Sequence, residues 1–305
     1  MQNADLDSDT LTARARRLGS VLEPVIGQVY FSPECHTAYV ALGFDPSANS
    51  AGGVALPDGP AYFTSRGSLM GQVPGEVVAA AFAVFNPEIV IPCVTLGWSR
   101  TDAASICSAR TNGAVAQLRR ILGDEPAGLA RVNELLGRAV ATLRPEGRPL
   151  YAGARSQPTP DTPLGAMWHM GDMLREYRGD SHTAAWISAG FDATEIGLMS
   201  ELYWGLPMRS YSRTRAWTDR QFDAAHERLQ ARGMVDATGF TPAGRAAREA
   251  VEVATDAQML GAITAIGGDF DELAALLEPW GAAVRAGHGY LSSGPHDLAT
   301  AAQGR

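Results

Sequence analysis

The run His169-Met170-Gly171-Asp172-Met173-Leu174-Arg175-Glu176-Tyr177-Arg178-Gly179-Asp180-Ser181-His182 gathers two histidines, three acids and two arginines between apolar stretches. These are the residue types of acid–base and anion-binding chemistry. Imidazole titrates near neutrality, a carboxylate can orient it, and a guanidinium grips carboxylate or phosphate in a planar fork. The spacing predicts a break at Gly179, with Asp180 or Ser181 capping the next helix. His182 then sits in a first helical turn, where the dipole depresses an imidazole's pKa and favours an anionic neighbour. In that arrangement His182 carries a proton, Asp180 orients it, and Arg178 or Arg175 binds the anion. The structural alternative, which is commoner for polar turns, is a network of caps and ion pairs that fixes a helix–helix turn.

Further candidates stand elsewhere. Arg66, in a Gly/Ser setting, could hold an anion, although a surface arginine is the commoner outcome. Tyr151 and Arg155 follow a proline-rich connection and could line a groove between two halves. Trp168 and Trp186 belong to a bulky set with Met167, Met170, Met173, Met199, Tyr203 and Trp204. Helical spacing makes that set core by default, and a wide apolar cavity for an aromatic metabolite is the alternative. His169 and His182 are too far apart for a metal pair on one helix, and HExxH is absent, so no metal is expected. No cofactor is expected either. All 25 basic residues are arginine, which removes the lysine of a Schiff base or a phosphate-binding loop. Neither GxGxxG nor GxSxG occurs.

The elements that must position these residues read as mainly α. The chain has 305 residues, is 46% hydrophobic and carries net charge −8. It can bury a sizeable core. Its acidity works against approach to nucleic-acid phosphates unless arginines cluster on one face. Cys35, Cys93 and Cys107 form no metal or disulfide pattern and read as reduced thiols of a cytoplasmic protein. No apolar run approaches the roughly 18 residues that span a bilayer, and the acidic, polar residues 1–10 lead us to expect no secretory leader. Helices are predicted over 11–31, 33–42, 74–94 (broken at Asn86-Pro87), from Trp98 to about 122, 127–143, 164–177, 181–189, 193–204 and 270–285, with loop over 44–60 and 144–163. Arg14, Arg16 and Arg17 fall on an exposed face of the first. The organisation expected is an N-terminal helical domain (1–145), a C-terminal helical domain (146–290) and a flexible tail (291–305).

The segment Trp217–Asp256 is the most informative for fold. Thr218 and Gln221 form a capping box. Phe222, Ala225, Leu229 and Met234 make a buried stripe, and Gly233 ends the helix with positive φ. Met234-Val235 and Phe240-Thr241 read as two short strands around the turn 236–239, and Thr241-Pro242 restarts a helix. This order is the back half of a winged helix. A weaker echo, Trp98-Ser99-x-x-Asp102 against Trp217-Thr218-x-x-Gln221, is either a duplicated helix start or two independent ones.

Arg232-Gly233-Met234-Val235 and Phe240-Thr241-Pro242-Ala243-Gly244 resemble the turn and restart of MarR-like winged-helix proteins. Together with Gly147–Ala152 and Leu174–His182, they make the whole chain similar to an actinobacterial helix-turn-helix-like family. The resemblance implies a winged-helix fold and brings no activity with it. The turn 236–239 lacks the arginines a DNA-reading wing carries, and the preceding helix sets Asp219, Asp223 and Glu227 beside Arg220, His226 and Arg228. The leading expectation is therefore a small-molecule-binding protein on a winged-helix scaffold, whose catalytic form would be a cofactor-independent enzyme of secondary metabolism performing acid–base chemistry such as cyclisation, isomerisation or elimination. The alternative is a MarR-like, ligand-responsive transcriptional regulator that binds DNA as a dimer. Nucleic acid is thus disfavoured as a partner without being dismissed, a homodimer stays open, and no membrane is involved.

Overall fold

The computed structural model describes residues 8–292, so most of the expected tail lies outside the described residues. The chain is mainly helical. Helices α1 (Ser8–Ile26), α2 (Pro33–Ala41), α3 (Gly59–Gly67), α4 (Gly75–Phe82), α5 (Pro87–Arg100), α6 (Ala103–Leu122) and α7 (Leu129–Val140) form the first half. Helices α8 (Pro149–Ser156), α9 (Pro163–Ser188), α10 (Ala193–Tyr203), α11 (Asp219–Ala231), α12 (Pro242–Gln258), α13 (Leu260–Ile266) and α14 (Phe270–Ala286) follow. A hairpin β1 (Ser50–Ala51) and β2 (Val54–Ala55) lies in the first loop, and β3 (Val235–Asp236) with β4 (Gly239–Phe240) makes the wing.

Helix starts follow side-chain caps. Ser32, Asp58, Asn86, Asp102, Thr162, Asp192, Thr218 and Thr241 each accept a hydrogen bond from a first-turn backbone N–H. Trp98-Ser99 is the last turn of α5 rather than a helix start, and Asp102 is itself the cap of α6. The echo with Thr218 therefore does not extend to capping geometry. Helices α3, α8 and α13 occupy stretches predicted as loop or left unassigned. Each is short, and Gly or Pro punctuation masks its period.

The largest apolar core joins residues from Ala15 to Tyr290, drawn from both sides of position 145, with α9 lying against α1, α6, α7, α8 and α12. Met167, Trp168 and Met173 belong to it. A second core, from Ala185 to Val251, holds the winged helix and includes Trp186, Met199, Phe222, Ala225, Leu229 and Val235. The bulky methionine and aromatic set is thus divided, with Met167, Trp168, Met170 and Met173 at the first core, Trp186 and Met199 in the second, and Tyr203 and Trp204 outside both.

The winged-helix segment takes the predicted order of elements, with its strands shifted one residue into the turn, to Val235–Asp236 and Gly239–Phe240, and with Met234 only half-buried. The Gln221 backbone N–H donates to Thr218 Oγ1 at 3.3 Å, and the Thr218 N–H donates to Gln221 Oε1 at 2.9 Å. Gly233 takes φ +67°, and the wing pairs Val235 with Phe240 and Asp236 with Gly239. Gly244 lets α12 approach the wing: a Cβ there would lie 1.8 Å from the Met234 carbonyl oxygen. The module is docked on the first half, where Trp217 Nε1 donates to the Val84 carbonyl at 2.9 Å and Asn86 Nδ2 donates to the Ala216 carbonyl at 3.0 Å. Asn86 also caps α5 through Glu88 N–H.

Candidate functional site

The chemistry-bearing run lies on one uninterrupted helix, α9. Gly179 does not break it. A mid-helix glycine costs only about 1 kcal/mol, and the packing of Leu174 and Tyr177 before it and of Ala185 and Trp186 after it into the two cores outweighs that. Two expectations change as a result. Asp180 and Ser181 cap no new helix, and His182 lies mid-helix without an N-terminal dipole behind it. Asp180 and His182, two residues apart on a helix, point to different sides.

One face of α9 carries Asp172, Glu176 and Asp180, each one turn from the next and all buried. Arg110 of α6 meets Asp172 through two parallel bonds of 2.8 Å, with its guanidinium 5.1 Å from the Trp168 ring centre. Arg66 of α3 grips Glu176 the same way, at 3.1 and 2.6 Å. Its side chain is only 13% exposed, so it is not the surface arginine its Gly/Ser setting implies. The anion it holds is the protein's own.

Tyr30 donates to Glu176 at 3.2 Å, and Arg175 reaches both Glu176 and Glu23, the latter at 3.0 and 3.2 Å. Burial would raise the Glu176 carboxyl, but Arg66 and Arg175 reverse this and hold it at about 2. Asp180 contrasts with it. Its Oδ2 accepts the Tyr151 backbone N–H at 3.0 Å, capping α8 from a neighbouring helix where the local N-cap, Arg148, supplies no side-chain bond. No ion pair to Asp180 occurs among the described residues, and burial pushes its carboxyl up to about 7, against the pull of that N–H.

The other face meets α12 and α1. Arg178 pairs with Glu252 at 3.1 Å and Asp256 at 3.5 Å. His182 Nδ1 lies 3.1 Å from Thr255 Oγ1 and 3.9 Å from Glu252 Oε1. Arg248, wholly buried, pairs with Glu252 at 2.7 Å and packs over Tyr203. Arg16 joins Asp256 at 2.5 Å and Glu249 at 2.6 Å and Arg14 donates to the Gly267 carbonyl at 3.1 Å, so both leave the exposed face predicted for them, whereas Arg17 stays exposed. This seam locks α1 and α9 to the last helix of the winged helix.

The structure therefore brings Arg66, Arg175 and Asp180 to one neighbourhood and Arg178 with His182 to another. Tyr151 is buried, donates to the Leu143 carbonyl and stacks edge-on with Tyr177, so its ring is core. Arg155 is exposed. Trp168 and Trp186 sit in different cores. The open groove of about 780 Å³ beside Arg138 and residues 260–269 is lined by none of these residues. No cluster of three potential metal ligands occurs among the described residues. Sequence reasoning gave no role to Glu23, Tyr30, Arg110, Asp172, Glu176, Arg248, Glu252 or Asp256. Two signals were available: acids at i, i+4 and i+8 in 172–180, and Arg248, Glu252 and Asp256 at the same spacing.

On the winged helix, the arginines close on local carboxylates. Arg209 pairs with Asp223 and Arg213 with Asp219, both at 2.7 Å. Arg228 joins Asp192 and Glu195, and Arg232 joins Glu195 at 3.1 Å. In the turn, Asp236 accepts the Thr238 N–H at 2.7 Å, and no cation stands there. Arg220 and Arg245 are exposed and carry no ion pair among the described residues.

A mainly helical chain with a helix–wing–helix module is the class that this architecture defines. A family profile described as a helix-turn-helix family matches residues 15–291, and the chain belongs to that family. No curated protein and no solved structure matches it. Among the described residues no helix is long and apolar enough to cross a membrane.

Proposed function

We propose that this helix-turn-helix protein binds a small molecule, with its MarR-like winged helix serving as a docked scaffold instead of a DNA reader. The observation that carries this reading is the self-neutralised helix α11 and its surroundings: Arg209, Arg213, Arg228 and Arg232 each already face a carboxylate. Strong duplex binders neutralise about 6–10 phosphates, and exposed Arg220 and Arg245 fall well short of that. The ligand site is assigned to the Asp180 side of α9. Asp180 is a buried carboxyl near 7, poised to give or take a proton at neutral pH. Arg66 and Arg175 hold the adjacent charge in place, and acid–base chemistry such as isomerisation or elimination is the reaction type this arrangement fits.

The second reading, a ligand-responsive regulator, draws on family membership and on the two unpaired arginines. Native mass spectrometry of the protein isolated from its producing cells tests the first. A retained small molecule, lost from Asp180→Ala, is the expected result. Protein that carries no ligand but retards its own upstream DNA would establish the regulator instead.

A further inference from the structure

The joint between the winged helix and the α4–α5 turn has an alanine on each side in a conformation that alanine avoids. Helix α4 ends at Ala83, with φ +45° and ψ −53°, and the Val84 N–H donates to the Phe82 carbonyl at 2.5 Å. That is a γ-turn of the rare, strained hand. On the other side, the 3-10 turn Ser212–Arg215 ends at Ala216, with φ +62° and ψ +27° in the left-handed region. Among the described residues the chain places glycine at most positive-φ positions, and of the four exceptions two lie at this joint.

Three hydrogen bonds cross it. Trp217 Nε1 donates to the Val84 carbonyl at 2.9 Å, the Asn86 N–H donates to the Arg215 carbonyl at 2.9 Å, and Asn86 Nδ2 donates to the Ala216 carbonyl at 3.0 Å. The Arg215 guanidinium adds a contact 4.6 Å from the Phe85 ring centre. The Cβ of alanine disfavours each positive-φ conformation by roughly tenfold. A hydrogen bond contributes a net factor of roughly five. Three bonds therefore little more than offset two strained residues, and apolar burial adds modestly because Ala83, Val84 and Trp217 are only half-buried. The buried residues of the second core all lie between Ala185 and Val251, and those of the first include none from 82–86. The joint can part while both cores stay packed, with α9 still running through the two of them.

We propose that Ala83–Asn86 and Arg215–Trp217 form a reversible latch. In its open state both alanines return to negative φ, the three bonds pass to water, and the segment that leads into α11 leaves the first half. The winged helix thereby has a second position relative to α4 and α5. The latch does not depend on the assignment of a ligand to Asp180.

Hydrogen exchange followed by ¹H–¹⁵N correlation on the labelled full chain reads the opening directly. The probes are the Trp217 indole N–H and the Asn86 backbone N–H, with the Leu136 and Leu229 amides as references in the first and second cores. After correction for intrinsic rates, the two latch probes should share one protection factor, lower than that of either reference. Ala83→Gly and Ala216→Gly should each raise that shared factor by roughly two- to fivefold, the alanine strain removed less the extra freedom of glycine in the open state. Latch probes that exchange only as fast as the references, that differ from each other in protection, or that are not slowed by both variants overturn the proposal.

Discussion

Replacing Asp180 with asparagine isolates the central carboxyl of the proposed site. Asparagine keeps an oxygen to accept the Tyr151 N–H but cannot ionise. In the folded protein, burial lifts the Asp180 carboxyl from 3.8 to about 7. Between those values the folded chain holds a proton that the unfolded chain has released. The stability this proton confers is therefore complete below pH 3.8 and declines as pH rises to about 7. At about 1.4 kcal/mol per pKa unit, the whole effect is on the order of 4 kcal/mol, an upper bound because the N-terminus of α8 favours the ionised form. Asp180→Asn lacks this decline. Urea unfolding of both proteins at pH 5, 6, 7 and 8 measures it, and the difference between them cancels the titrations they share, including that of Glu176. The variant should gain on the native protein steadily up to pH 7 and then hold a constant advantage. A difference that stays flat from pH 5 to 8 would refute the reasoning, since Asp180 would then be ionised throughout as an ordinary surface acid.

Two other perturbations test the packing around the site. Glu176→Gln leaves Arg66 and Arg175 without their shared carboxylate in a buried setting and should destabilise the fold by about 3–5 kcal/mol, seen by calorimetry as a large drop in Tm; an unchanged Tm would mean the network is solvated. Gly244→Ala drives a Cβ toward the Met234 carbonyl and should lower stability by at least 1–3 kcal/mol, the usual range for overpacking, while the circular dichroism stays helical; a neutral outcome would mean α12 does not approach the wing so closely.

The winged helix was legible because its signals are local. Thr218 with Gln221, Gly233 and Thr241-Pro242 each act within one turn, and each does so in the structure. The polar faces of α9 were legible as composition but not as geometry. Gly179 looked like a break because its small helical penalty shows in sequence, whereas the packing that overrides it comes from helices far away in the chain. Arg66 shows the same limit. Its partner Glu176 lies 110 positions away, and nothing in the Gly/Ser setting indicates burial. Arg248, Glu252 and Asp256 shared a helix face that spacing could have revealed, yet their meeting with Arg16 and Arg178 depends on how α1, α9 and α12 assemble. Asp180 stood out in the sequence as polar and central, but its partner in the structure is the start of α8, a helix hidden in a proline-rich stretch.

The claim that the winged helix does not read DNA meets its sharpest test in salt. Fluorescence anisotropy of a labelled duplex from the gene's own upstream region, followed from 50 to 200 mM salt, gives the slope of log affinity against log salt. With only Arg220 and Arg245 both exposed and without an ion pair on this module, weak, sequence-indifferent binding with a slope of about −2 per protomer is predicted. Tight, site-selective binding with a slope of about −5 or steeper per protomer would contradict the account.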